Sequence, residues 1–312
     1  MVTLPPMPSA EIAVIVESFN ETEHSSLDRL AGALEIAERA ADRHGDARVV
    51  LADGGGNPRV AELVEHRFPS IQRISSDVRD YDMAKAAAAA AADASIVVFL
   101  DGDCRPLSDD WLDELTAPIR ARAAVGTAGF TVYEGGWLAR VLSVMDFGFL
   151  LPRTEHPLGC YASNNSAFAA DALAENPVPD GDMRCRCFAH AQSFVRRGTP
   201  MLLAPAAAVT HEAVPLVKER LRRGWDLVTA ARVNPALREA RWLRAGVLAA
   251  PLFYAHALRW DVRRVFAGGR DMGLGPLGRI AAIPVMTGLR MVDLVGIVAA
   301  LRGRPAPGTA SG

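Results

Sequence analysis

The chain has 312 residues, half of them apolar and 22% charged, with a formal net charge of −2. That is enough apolar material to bury one large core or two smaller ones, which excludes a disordered or fibrous protein. Four cysteines in this length give no disulfide framework, and Cys185-Arg186-Cys187 lacks the spacing of a zinc site, so free thiols in a reducing, cytoplasmic setting are expected.

From the N-terminus, residues 1–10 have no basic start and are broken by prolines, so they read as a disordered tail and not as a signal peptide. Ile12-Ala13-Val14-Ile15-Val16 is a β-branched run too short for a helix, hence a first buried strand. Ser25 or Ser26 caps a helix whose apolar face is Leu27, Leu30, Leu34, Ala37 and Ala41, with Gly45 closing it. Arg48-Val49-Val50-Leu51-Ala52 is a second strand, ending at Asp53-Gly54-Gly55-Gly56. Three glycines there either let backbone approach a ligand or form a mobile loop. Asn57-Pro58 starts a helix, Ile71 to Ile74 is a third strand, and Met83 to Ala92 is an alanine-rich helix. The fourth strand, Ile96-Val97-Val98-Phe99-Leu100, runs into Asp101-Gly102-Asp103.

Strand–helix alternation of this kind means a parallel sheet with helices on both faces, and ligands bind such sheets at the carboxyl ends of the strands. Asp53, Asp101 and Asp103 should therefore line one crevice. Residues i and i+2 of a strand share a side, so Asp101 and Asp103 converge on one cation if the chain stays extended through Gly102, and hard oxygen ligands favour Mg²⁺ or Mn²⁺. An isolated Asp-Gly-Asp reads equally well as two solvated turn acids. Further on, Asp109 or Asp110 starts a helix through Trp111, Leu112 and Leu115, and Val125 to Tyr133 is another strand. Asn164-Asn165-Ser166-Ala167-Phe168 precedes a helix at Asp171, and the apolar stretch from Gly198 ends at Val209-Thr210-His211-Glu212.

Taken in this order, Val14 to Glu21, Ala52-Asp53-Gly54, Tyr81 to Lys85, Phe99 to Asp103, Asn164 to Phe168 and Pro205 to His211 resemble a family 2 glycosyltransferase of the GT-A fold. The resemblance implies an α/β catalytic domain over residues 11–234, a Rossmann-like, mostly parallel sheet with helices on both faces. Its activity would be metal-dependent transfer of a sugar from a nucleotide-sugar, in particular a UDP-sugar, to a hydroxyl acceptor. By the same resemblance Glu17 and Asn20 belong to the donor loop, Asp53 reads the uracil ring, and Lys85 and Asp101 contact the donor. Asp101 and Asp103 hold metal and ribose, His211 completes the metal's ligands, and Asn164 and Asn165 lie on the acceptor side. Arg223 and Trp225 stand on a helix near the diphosphate, although Val217, Leu221, Trp225 and Val228 also form an apolar stripe that makes Trp225 a core residue. Where inverting members carry Glu-Asp, with the Asp as general base, this chain has Arg186-Cys187. Asp180 and Asp182 are the nearest acids for that role, and the stereochemistry stays open. A nucleotidyltransferase, or a degenerate homologue that binds nucleotide without turnover, are the alternative readings.

Residues 1–215 hold 18 Lys+Arg against 30 Asp+Glu, whereas residues 216–312 hold 16 against 6. Residues 235–301 read as an apolar and basic helical module and residues 302–312 as a flexible tail. Ala245 to Leu258 contains no Asp, Glu, Lys or Arg, and Ile280 to Leu301 only Arg290 and Asp293. Neither run reaches the roughly eighteen uncharged residues of a spanning helix. Arginines bracketing both point to a helical hairpin lying on an anionic membrane surface, at its cytoplasmic face. The same pattern equally fits a helix pair packed on the catalytic domain or across a homodimer; nucleic acid is not an expected partner.

Overall fold

The structure, a computed structural model, describes residues 10–18, 27–76, 80–180, 186–212, 216–234 and 237–304. The chain divides into two compact units, the first made of residues 1–131, 154–179 and 190–212, the second of residues 132–153, 180–189 and 213–312. The second unit thus takes in segments on the N-terminal side of residue 234 as well as the C-terminal helices.

The first unit begins with alternating strands and helices: β1 (Ala10–Glu17), α1 (Leu27–His44), β2 (Ala47–Gly54), α2 (Pro58–Arg67), β3 (Gln72–Ser76), α3 (Tyr81–Ala91) and β4 (Ala94–Asp101). The helix ends follow from local chemistry. Gly45, at φ +81°, closes α1 with its N–H on Ala41 O at 3.0 Å. Asn57 caps α2 by accepting from the Arg59 N–H at 3.0 Å, with Pro58 in the first turn. Asp80 accepts from the Met83 N–H at 3.1 Å, which starts α3 two residues ahead of the expected Met83. The expected caps Ser25 and Ser26 lie outside the described residues.

β3-β2-β1-β4 pair in parallel. The sheet continues through β8 (Asn165–Ala169), β6 (Gly126–Tyr133), β9 (Met201–His211) and β5 (Cys104–Pro106), with β4–β8, β8–β6 and β9–β5 antiparallel and β7 (Pro157–Leu158) also antiparallel to β9. Among the described residues this makes a nine-stranded sheet. On one face Val14, Val16, Leu51, Val98 and Leu100 pack with Leu30 and Leu34 of α1, Val60 and Val64 of α2, and Trp111 and Leu115 of α4 (Trp111–Arg120). Their neighbours Ala13, Ile15, Val50, Val97 and Phe99 point the other way and are also buried, and α3 packs on β1 and β2. Burial on both faces explains the unbroken apolar runs.

The second unit holds α5 (Trp137–Phe147), α8 (Leu216–Val233), a 3₁₀ stretch (Arg238–Ala249), α9 (Ala250–Gly268) and α10 (Pro276–Leu301); two further helices, α6 (Ala170–Glu175) and α7 (Arg186–Arg196), precede α8. α9 and α10 form an antiparallel pair: Phe253 clusters with Ile297, Asp261 pairs with Arg290, and Arg279 reaches Phe266 O. α8 and α10 touch backbone to backbone, because a Cβ on Gly224 would overlap Asp293 O and one on Gly296 would overlap Leu221 O. By length and composition α10 is able to cross a bilayer. Its Arg290 and Asp293 are nonetheless buried against protein.

Charge holds these helices together. Asp146 on α5 accepts from Arg220 on α8 and from the Tyr133 hydroxyl at 3.2 Å. Arg290 on α10 is bidentate to Asp261 at 2.6 and 2.9 Å and reaches Asp293 at 2.5 Å. Burial alone would raise the Asp146 carboxyl, but Arg220 and Arg223 outweigh it and hold it down at about 2.

Candidate active site

The carboxyl ends of β1, β2 and β4 lie side by side, with Glu17 opposite both Ala52 and Asp101. Asp53 is fully buried there. One of its carboxylate oxygens accepts from Ser18 Oγ at 3.1 Å and the other from the Arg73 guanidinium at 2.9 Å. The glycines after it are turn-makers: Gly55 and Gly56 sit at φ +88° and +60°, and the Gly55 N–H bonds Ser76 O at 2.7 Å, tying the turn to β3.

Lys85 is buried on α3 and donates to Asp101 Oδ1 at 2.6 Å and to Ser163 O at 3.1 Å, with Asp82 at 3.9 Å. Burial by itself would discharge the ammonium, but Asp101, Asp82 and Glu17 raise its pKa above the ordinary value. Burial pushes the Asp82 carboxyl up, and Lys85 opposes that rise. In this structure Lys85 fixes and neutralises Asp101.

Asp101 and Asp103 do not share one extended segment. The Gly102 N–H bonds Glu17 O at 2.9 Å, and the chain turns at Gly102 and Asp103 before β5. That turn removes the extended geometry on which the expected i, i+2 convergence of Asp101 and Asp103 depended. Asp103 instead meets His211, which β5–β9 pairing sets opposite Cys104. Ligand atoms of Asp103, Cys104 and His211 lie within 4.8 Å of one another, and Asp101 is outside that group. His211 Nδ1 is 2.6 Å from Glu212 O, an acceptor only, so Nδ1 carries a proton. Nε2 then faces the Asp103 carboxylate at 3.6 Å. Two electron-rich atoms in that arrangement need a proton or a cation between them, and a carboxylate with an imidazole suits Mn²⁺ better than Mg²⁺, which prefers oxygen ligands alone. Burial raises the Asp103 carboxyl, His211 pulls it back and Asp101 adds to the rise. Burial also pushes the Cys104 thiol well up, which keeps it a thiol and a poor ligand.

The other expected residues part company. Asn164 accepts from Thr131 Oγ1 at 3.2 Å and its carbonyl from the Asp101 N–H at 3.3 Å, so it braces the end of β4. Asn165 was expected on the acceptor side but is interior. It accepts from Trp111 Nε1 at 2.9 Å and donates to Ala207 O at 2.8 Å and Phe130 O at 3.5 Å, bolting β8 to α4 and β9. Glu17 is buried at the end of β1. Asn20 and Asp182 lie outside the described residues, and Asp180 is exposed. Arg223 and Trp225 belong to the second unit. There Arg223 pairs with Glu219 at 2.7 Å, while half-buried Trp225 packs beside Val228 and Phe253 and donates to Arg304 O at 3.1 Å; Val217 of the same stripe is exposed. Ser18, Arg73 and Asp82 were missed. Only Asp82 left a trace, three residues ahead of Lys85 on the same helix face.

The glycosyl transferase family 2 model matches residues 13–174, just over half of the chain. The chain belongs to that family. The matched segment contains Asp53, Lys85, Asp101 and Asp103, and this glycosyltransferase carries Asp53 and Asp101 on strand ends, Lys85 on α3 and Asp103 in the turn before β5, all in its first unit. No curated protein matches it. Among solved structures it is similar to PcManGT, a mannosyltransferase from Pyrobaculum calidifontis in complex with GDP-Man and Mn²⁺. The TM-score is 0.62 at 14% identity, over 97% of this chain and 90% of that one. At such identity the likeness establishes the GT-A fold. GalNAc-T7 with UDP, GalNAc and Mn²⁺ also matches, at a TM-score of 0.48 and 14% identity over 66% of this chain and 44% of that one, too low to support inference.

Proposed function

We propose that this glycosyltransferase moves a sugar from a nucleotide-sugar, a UDP-sugar in the first instance, to an acceptor hydroxyl, with Mg²⁺ or Mn²⁺ held by Asp103 and His211. The observation that carries the reading is His211 Nε2 facing the Asp103 carboxylate at 3.6 Å while Nδ1 is committed to Glu212 O. PcManGT, of the same fold, was solved with a nucleotide-sugar and Mn²⁺, which supports this donor class and ion. When bound, the ion supplies Lewis-acid neutralisation of the charge that develops on a departing diphosphate. The chain's own residues bind and orient. Asp53, steadied by Ser18 and Arg73, offers its carboxylate to the base, and Asp101, fixed by Lys85, is positioned for the ribose. For the acceptor's proton the nearest acids are Asp182 and Asp180, since Cys187 stands where inverting members of the family carry their general-base Asp.

The test is product analysis. Incubation with a panel of nucleotide-sugars and Mn²⁺ should release nucleoside diphosphate in an acceptor-dependent way. Pyrophosphate release from nucleoside triphosphates would mean a nucleotidyltransferase, and donor binding without release a degenerate homologue. Asp182→Asn should lower turnover by roughly 10² with donor affinity unchanged.

A further inference from the structure

α10 is built inside out. Its exposed positions, among them Leu277, Ile280, Ala281, Pro284, Met291 and Val295, fall in one stripe at about 100° per residue, and none carries a charge. Leu277, Ile280, Met291 and Val295 are 82%, 59%, 53% and 61% exposed. Arg290 and Asp293 lie on the opposite, buried face, in the ion network with Asp261 of α9. A helix facing water does the reverse, because desolvating charges is costly and exposing apolar side chains gains nothing. From Leu277 to Val295 the stripe runs about 27 Å at 1.5 Å per residue.

Charge in the same unit says what covers that stripe. Residues 237–304 contain 11 arginines against four acids. All four acids are engaged: Asp261 and Asp293 with Arg290, Glu239 with His256 at 2.5 Å, and Asp271 with the Arg153 N–H at 2.9 Å. Arg259, Arg263 and Arg270 remain exposed, as do Leu248 and Leu252. A second copy would bring equal positive charge to the contact, whereas anionic headgroups complement it.

We propose that the outward stripe of α10 and the exposed arginines of the second unit seat the enzyme on an anionic lipid bilayer, with α10 lying in the interface plane. α10 does not cross, because it packs along α8, which carries Lys218, Arg222 and Asp226, and along α9, which exposes Arg259 and Arg263. A spanning α10 would draw those charges into hydrocarbon. Apolar side chains sink into the acyl boundary while arginines stay at the headgroups.

The test is flotation of the full chain with vesicles of phosphatidylcholine alone or mixed with phosphatidylglycerol. Binding is expected to the mixed vesicles at low salt and to weaken as salt rises. Ile280→Glu with Met291→Glu should cut it about tenfold, and Arg259→Gln with Arg263→Gln should weaken it about fivefold per arginine for the anionic vesicles alone. Melting temperatures and the stabilisation by UDP with Mn²⁺ should stay at wild-type values in both variants, so a failed membrane result is read apart from the donor site. Absence of flotation with anionic vesicles at low salt, or a stable dimer in sedimentation that the Ile280→Glu, Met291→Glu variant dissolves, would overturn the proposal.

Discussion

In the second unit Asp146, Glu219, Asp261 and Asp293 are each matched by an arginine, and the network closes on itself. At the strand ends of the first unit Lys85 serves both Asp82 and Asp101, and Asp103 faces the His211 ring at 3.6 Å, a longer contact whose charge depends on a proton. The contrast separates two uses of buried charge. A network whose charges balance internally needs no ligand and joins helices; a site left negative is completed from outside.

Breaking the open site should have the largest effect on chemistry. Asp103→Asn is expected to lower sugar transfer about 10³-fold, read as diphosphate release, with little change in melting temperature, since that carboxylate closes no internal pair as tight as Lys85–Asp101. Breaking the closed network should instead unfold the protein. Arg290→Met strips Asp261 of its bidentate cation and leaves Asp293 with Arg220 at 3.7 Å, and is expected to cost about 3–5 kcal/mol in urea unfolding, leaving Mn²⁺ affinity of the folded enzyme unchanged.

His190 sharpens the comparison as a buried titratable group that no ion partners. Its Nε2 donates to Asn176 O at 2.7 Å and its Nδ1 meets the Tyr161 hydroxyl at 2.8 Å. Burial lowers its pKa to about 4, against a small opposing effect of the Asn176 bond. The unfolded chain therefore binds the proton first, so stability is full above pH ~6.5 and falls as pH drops toward ~4, by about 3 kcal/mol. Asp146, held low, adds a further loss only below its ordinary carboxylate range. Urea unfolding across that pH range should show the slope, and His190→Gln should flatten it. The smallest effect is expected at the α8–α10 crossing: Gly296→Ala must push Leu221 O away and should cost about 1–3 kcal/mol, with no change in turnover per folded molecule.

The first four strands and their helices were legible because each carries its own signal: β-branched runs, Asn57-Pro58, Gly45, the alanines of α3. The strand-end positions of Asp53 and Asp101 were legible for the same reason. The turn at Gly102 was not, since it depends on a bond to Glu17 O far away in sequence. β8 carries no strand signal of its own because Asn165-Ser166-Ala167-Phe168-Ala169 has no alternation, yet it sits beside β4, and Asn165 owes its role to Trp111 and Ala207. Arg290 and Asp293 looked like interruptions of an apolar run; their partners Asp261 and Arg220 sit on other helices, where no spacing rule reaches.

Calorimetric titration of Mn²⁺ into the enzyme with UDP present tests the central claim most directly, on wild type, Asp103→Asn and His211→Ala. One saturable site in the wild type, weakened about tenfold or more in each variant, is the predicted result. Equal Mn²⁺ affinity in wild type and Asp103→Asn, or no Mn²⁺ binding in the wild type, would contradict it.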